Sequence, residues 1–142
     1  MEIRKLEDKE INKVVELWYQ VSIQAHSFIS SDYWKENREA MATQYLPSSE
    51  SYIAVDKDKL MGFVSMIDTY LAAIFVQTDM QGQGIGKKLL NHVKKRNATI
   101  QLKVYKKNAN SLQFYTRQGF KILSENTEES TNEMEYLMEW KK

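Results

Sequence analysis

Three of the five glycines in this 142-residue chain occupy alternate positions in one segment, Gln81-Gly82-Gln83-Gly84-Ile85-Gly86-Lys87. The segment follows an apolar run, YLAAIFV (Tyr70–Val76), and opens a stretch with Ile85, Leu89, Leu90 and Val93 at helical spacing. A strand, a glycine-rich bend and a helix in that order admit few folds. Glycine has no Cβ, so the backbone can bend freely there and a ligand can approach its N–H groups closely. A helix start adds unpaired N–H donors and the positive end of its dipole at the same point. The combination predicts a cradle for a diphosphate that needs no metal.

Two nucleotide-binding loops fail on spacing. Counting back from Gly86-Lys87, a P-loop places its first glycine at Gln81 and its magnesium-binding hydroxyl at Lys88. A dinucleotide fingerprint matches Gly82 and Gly84 but meets Lys87 where its third glycine belongs, and it normally follows an early strand. What remains is Gln81-x-x-Gly84-x-Gly86, with a flexible turn into a helix as the plainer alternative.

Composition narrows the class. The length suits one domain over residues 1–142, and the apolar share of 42% is that of a globular protein. A net charge of +1 argues against a nucleic-acid partner. No segment is apolar for the length of a membrane span, and the charged opening MEIRKLEDKE is unlike a secretory signal. With no cysteine, disulfides and thiol acyl-enzyme chemistry are excluded and a cytoplasmic setting is expected. Two distant histidines, His26 and His92, give no metal pattern. Charge is uneven: Lys87–Lys107 is basic, whereas Ile122–Trp140 carries six glutamates and no cation. These are either two solvated faces, or a basic site for an anionic ligand beside an acidic rim for a cationic one.

Periodicity predicts a strand at EIRKL, then a helix with Ile11, Val14, Val15, Trp18 and Val21 on one face and Asp8 as N-cap. A second helix is expected over about Asp32–Tyr45, capped by Ser30 or Ser31, with Pro47 in a turn. SYIAV and LMGFVSMI flank DKDK as a hairpin. A helix from about Gly84 to Arg96, a strand TIQLKV, a helix NANSLQFYTRQ stopped by Gly119, and strands FKIL and EMEYLMEW complete an α+β pattern.

The run from Gln81 to Gly86 after AAIFVQTDM resembles the acetyl-CoA pyrophosphate motif of the GNAT superfamily of N-acetyltransferases. NANSLQFYTRQGF, with Asn108, Phe114-Tyr115 and Gly119-Phe120, resembles the superfamily's second signature. AHSFISSDYW and YLPSSESYIAV are similar to small bacterial members of the YiaC and YjaB type. Thr78 departs from the proline many members carry. The resemblance spans nearly the whole chain. It implies a mixed, mostly antiparallel sheet of six to seven strands flanked by about four helices.

It also implies acetyl-CoA as co-substrate, no metal, and direct acetyl transfer to a primary amine, with a protein or peptide lysine as the favoured acceptor. A small amine (amino acid, polyamine or drug) is the alternative acceptor, and a non-catalytic acyl-CoA sensor the alternative function. By resemblance, backbone groups of Ile74, Phe75 and Val76, on a strand splayed from its neighbour, pair with the pantetheine amides. Gln81, Gly82, Gln83, Gly84, Ile85, Gly86 and Lys87 take the diphosphate, and Asn108 bonds the pantetheine arm. The leaving thiolate, with a pKa of about 8.5, is helped by a weak acid. Tyr115 holds that motif position, a core aromatic being the other reading. His26, Phe28, Trp34 and Tyr70 are candidates for the acceptor groove, although Tyr33, Trp34 and Tyr45 could equally be core. At neutral pH only about one lysine amine in a thousand is unprotonated. The base stays open among Asp68, His26 and the glutamates of the closing hairpin. The resemblance is compatible with a monomer or a homodimer.

Overall fold

The computed structural model describes all 142 residues. Strand β1 (Glu2–Lys5) leads through a 3-10 turn, Asp8–Glu10, into helix α1 (Ile11–Ala25). A second helical region comprises α2 (Ser31–Glu36), α3 (Arg38–Ala40), a π turn (Met41–Tyr45) and α4 (Leu46–Ser48). Then follow β2 (Glu50–Asp56), β3 (Lys59–Ile67), β4 (Tyr70–Val76), α5 (Ile85–Lys94), β5 (Thr99–Tyr105), α6 (Ala109–Arg117), β6 (Lys121–Glu128) and β7 (Glu133–Lys141). All seven strands form one sheet, ordered β1-β2-β3-β4-β5-β7-β6, and only the β4–β5 pair is parallel. The expected mixed, mostly antiparallel α+β architecture is present, with four helical regions.

Each sheet face carries its own core. On one, Ile85, Leu89, Leu90 and Val93 of α5 pack on Ile100, Leu102 and Met138. On the other, Val14, Leu17, Trp18 and Val21 of α1 pack on Ile53, Phe63 and Ala73. Both helices bury one stripe at the helical period, and each large side chain so buried stabilises by roughly 1.5–3 kcal/mol. The closing strand alternates as its sequence requires: Tyr136, Met138 and Trp140 join the first core while Glu133, Glu135 and Glu139 face the other way.

Four local expectations change. Asp8 begins the 3-10 turn and does not cap α1; the Glu10 carboxylate takes the Glu7 N–H at 2.9 Å and the Arg4 guanidinium at 2.9 and 2.6 Å. The second helix is capped by Ser30, whose hydroxyl accepts the Asp32 N–H at 3.3 Å, but it breaks at Asn37. The Asn37 side-chain amide donates to the Tyr33 carbonyl at 2.7 Å, the group its own N–H would use in an α-helix, and that N–H goes to Trp34 at 3.2 Å. Pro47 sits in the first turn of α4, where a missing N–H costs nothing. Strand β6 outruns FKIL because it is an edge strand with Ile122 and Leu123 exposed, so no alternation marks it.

Gly62 of β3 lies opposite Val76. A Cβ there would stand 2.6 Å from the Phe75 carbonyl oxygen, so β3 and β4 approach only because position 62 is glycine. Gly62→Ala is expected to destabilise the fold by roughly 1–3 kcal/mol, the usual cost of overpacking. Thermal denaturation checks this; a melting temperature equal to wild type contradicts it.

Candidate active site

Strands β4 and β5 touch at one end and part at the other. Their ladder pairs only Tyr70 with Gln101, supported by the Gln101 N–H on the Thr69 carbonyl at 3.0 Å. The parting has a local cause. Ser65 pairs with Ala73 and Met66 with Leu71, so Ala72 is an extra, exposed residue in β4. Such a bulge bends and twists its strand. Beyond it β4 stays with β3 and leaves β5, opening a cleft of about 880 Å³. Leu71–Val76, Lys103–Tyr105, the loop before α5, one side of α6, and Trp18, His26 and Trp34 line it.

Antiparallel pairs alternate between bonded and non-bonded positions. The Gln77 N–H bonds the Met61 carbonyl at 2.9 Å, which by alternation commits Phe75 and Ala73 to β3. The main-chain groups of Ile74 and Val76 therefore point away from β3, toward the gap. Of the three residues expected to present backbone groups, Ile74 and Val76 do so. Phe75 instead packs its ring on Phe63, with centroids 5.7 Å apart. The Val76 carbonyl accepts the Gln81 side-chain amide at 3.1 Å, which ties the bend to the strand end.

The bend carries Gly82 and Gly84 at φ of 81° and 83°, left-handed values that favour glycine. Gly84 is the N-cap of α5 and has no side chain to accept a hydrogen bond. The first helical bond runs from Lys88 N–H to Gly84 carbonyl at 3.1 Å. The N–H groups of Ile85, Gly86 and Lys87 thus meet no backbone acceptor, at the positive end of a ten-residue helix. A Cβ at Gly82 or Gly84 would meet nothing within 4 Å, so open space lies beside the bend that precedes these donors. Uncapped donors, open space and Lys87 beside them fit a diphosphate. Gln83 is exposed and does not line the cleft.

Across the cleft, Tyr115 is buried against Phe114 and Phe120 at 5.4 and 5.7 Å, and burial raises its hydroxyl pKa, so it keeps its proton at neutral pH. Asn108 caps α6: its side-chain oxygen accepts the Ser111 N–H at 3.2 Å. That backbone donor fixes the amide's orientation, so the Asn108 nitrogen donates to His26 Nε2 at 3.2 Å. The histidine lone pair is consumed and its proton sits on Nδ1. Burial lowers the His26 pKa to about 4, and the ring stacks on Trp34 at 5.0 Å. His26 is a neutral brace between the α1–α2 loop and α6. Neither it nor Asn108 is a free polar arm in the cleft.

The remaining expectations divide. Trp34 lines the cleft but is buried against Trp18 and His26, as wall more than groove. Phe28 and Tyr70 do not line it: Phe28 packs on Tyr105 at 5.6 Å, and Tyr70 sits at the vertex opposite Gln101. Asp68 is exposed in the β3–β4 turn at φ 53°. The basic and acidic stretches neutralise each other across strands, through Lys103–Glu135 (3.8 Å), Lys106–Glu125 (2.9 Å) and Lys107–Glu133 (3.2 Å). Glu125, Glu133 and Glu135 are therefore paired, while Glu128 and Glu129 have no cation partner. Sequence reasoning missed Ala72, Lys103 and Tyr105; the alternation of Gln101, Lys103 and Tyr105 marks a polar strand face but not what it faces.

Because the folded pKa of His26 lies below its unfolded value near 6.5, its contribution to stability is complete above pH 6.5 and is lost as pH falls toward 4. The wild-type melting temperature is expected to drop between pH 6.5 and 4.5, and His26→Gln to flatten that slope. Equal slopes in the two proteins refute the neutral brace.

Residues 16–136 match the family described as an acetyltransferase (GNAT) domain. The chain is 32% identical over 139 residues to the peptidyl-lysine N-acetyltransferase YiaC of Escherichia coli K12, covering 97% of this chain and 95% of that protein. It is 31% identical over 121 residues to the peptidyl-lysine N-acetyltransferase YjaB of Salmonella typhimurium, covering 84% and 83%. The fold superposes on the solution structure of apo YjaB from Escherichia coli with a TM-score of 0.86 at 22% identity, over 98% of this chain and 96% of that one. It also superposes on the PaiA N-acetyltransferase of Thermoplasma acidophilum solved with coenzyme A, with a TM-score of 0.79 at 22% identity, over 99% and 98%. An uncapped glycine bend at a helix start, facing a strand edge freed by a bulge, is thus set in a chain that belongs to the GNAT acetyltransferase family.

Proposed function

We propose that this chain, one catalytic domain over residues 1–142, transfers an acetyl group from acetyl-CoA directly to a lysine side chain of a protein or peptide. The observation that carries the reading is that Ile85, Gly86 and Lys87, whose N–H groups meet no backbone acceptor, line the same cleft as the freed edge of β4. A diphosphate on the bend and an amide-bearing arm along Ile74 and Val76 run in one line toward Tyr115. The lysine acceptor is supported by the relatives, two of them peptidyl-lysine N-acetyltransferases at 31–32% identity over most of both chains. A cytoplasmic setting accords with the absence of cysteine, and no helix is long and apolar enough to cross a membrane.

Acetyl-CoA supplies an activated thioester; the chain supplies position and protons. The α5 N-terminus binds the anionic end and the gap aligns the thioester, leaving an outward main-chain N–H of β4 to polarise its carbonyl. Tyr115, kept protonated by burial, gives the departing sulfur a proton. A chain that only sensed acyl-CoA would have no use for a phenol held at the cleft.

Gly86 provides a sharp test. A Cβ there would meet the Phe114 ring at 3.4 Å and a Val76 methyl at 3.8 Å, both ordinary contacts, so packing does not require glycine. Gly86→Ala is expected to raise stability by up to about 0.5–1 kcal/mol yet weaken acetyl-CoA binding at least tenfold. Thermal shift with and without acetyl-CoA reads both effects, and unchanged binding places the diphosphate elsewhere. Tyr115→Phe is expected to lower kcat by about a hundredfold with acetyl-CoA affinity retained. Thiol release over a panel of lysine peptides, free lysine and spermidine measures this, and release only with a small amine overturns the acceptor assignment.

A further inference from the structure

This inference rests on the acetyltransferase reading and concerns the acceptor's end of the same cleft. Among the three cross-strand ion pairs, one belongs to the cleft. Lys103 lines it, and its ammonium lies 3.8 Å from a Glu135 carboxylate oxygen. Lys103 is half exposed, but the Glu135 side chain is only 12% exposed. Glu135 stands directly across from Tyr105, a second lining residue, on the polar face of the sheet. That face lies beside the open β4–β5 gap, with Tyr70 at the vertex. The chain therefore already holds an ammonium of the cleft wall, that of Lys103, on a largely enclosed carboxylate one strand behind it.

We propose that Glu135 is the acceptor-amine residue: it binds the incoming ammonium in place of Lys103 and takes the proton that the amine must lose. The steps balance. Glu135 accepts one proton from the ammonium and passes it to solvent past Lys103. The amine nitrogen then bonds to the thioester carbon as the carbon–sulfur bond breaks. Tyr115 gives its proton to the sulfur and recovers one from the nitrogen as the amide forms. The net products are the amide, the free thiol and one proton.

The surroundings suit this role. Facing Glu135 are Tyr70 from β4, Lys103 and Tyr105 from β5, and Glu128 from β6. Burial raises the Glu135 pKa, Glu128 adds to the rise, and Lys103 opposes it. Burial raises the pKa of Tyr70 and of Tyr115; the Glu135 charge adds to the rise at Tyr70, and Tyr70 to that at Tyr115, so carboxylate, vertex phenol and acid are electrostatic neighbours. A carboxylate of raised pKa is a stronger proton acceptor. Asp68, exposed in its turn, and His26, with its lone pair occupied, have no such placement.

The test uses the full chain with acetyl-CoA and a blocked peptide carrying a single lysine, read by thiol release. Glu135→Gln keeps the shape and removes the charge. It is expected to lower kcat/KM for the peptide by a hundredfold or more. The acid limb of the pH profile should vanish with it, while acetyl-CoA affinity and melting temperature stay at wild-type values. Lys103→Met removes the resident ammonium and is expected to lower the peptide KM several-fold. Glu135→Gln retaining more than half of wild-type kcat/KM, or losing acetyl-CoA affinity in parallel, overturns the proposal. So does an unchanged or raised KM in Lys103→Met. If wild type itself releases no thiol with any amine, the acetyltransferase reading fails, an outcome distinct from an active Glu135→Gln variant.

Discussion

One extra residue in one strand organises this molecule. Ala72 breaks the register between β3 and β4, and the bend it imposes draws the end of β4 away from β5. In an unbroken sheet the outward groups of Ile74 and Val76 would be spent on ladder bonds. Here the Ile74 groups and the Val76 N–H remain available, the Val76 carbonyl holding the Gln81 amide, and the space beside them becomes the cleft. The cost falls on a sheet that loses most of one parallel ladder in its middle. Cores on both faces, each with large side chains below 2% exposure, hold the parted strands in place.

The other half of the site depends on withheld satisfaction. Two helices flanking the cleft settle their first turn with a side chain: Ser30 caps α2 and Asn108 caps α6. Helix α5 does not, because its cap is a glycine in the left-handed region and three N–H groups meet no backbone acceptor. A first turn left uncapped forgoes roughly 0.5–2 kcal/mol that a side-chain cap would supply. That sacrifice makes sense where a ligand completes the cap. The Asn108–His26 pair shows the contrasting choice, two side chains bonded to each other across 82 positions of the chain, with only the His26 Nδ1 left without a partner. Through it the loop after α1 and the start of α6, one on each side of the cleft, are held at a set spacing.

Electrostatics within the sheet follows the same division between settled and open groups. The basic end of β5 and the acidic β6–β7 hairpin look in the sequence like separate fields, but adjacency in the sheet turns them into pairs. Exposed pairs of this kind contribute little stability. The Lys103–Glu135 pair differs in facing the gap with its carboxylate enclosed.

Much of this was legible in one dimension. Alternating glycines after an apolar run announced a strand, an anion-binding bend and a helix, because no side chain can replace hydrogen at a left-handed φ or above exposed donors. The stripes of α1 and α5 and the alternation of β7 followed from the periods 3.6 and 2. The second helix was misjudged because a single side-chain bond at Asn37 outweighed propensity, and β6 was under-read because an edge strand with two wet faces carries no alternation. By itself, then, the sequence determined the order of elements and the glycine bend that opens α5, both consequences of local backbone and side-chain chemistry, while Tyr115 entered as a candidate acid through the resemblance alone. The tertiary structure alone decided that Ala72 is a bulge, that His26 is a brace, and that Lys103 and Glu135 meet at the cleft. Each of those depends on which strand or helix lies alongside, a relation between distant parts of the chain that no local pattern encodes.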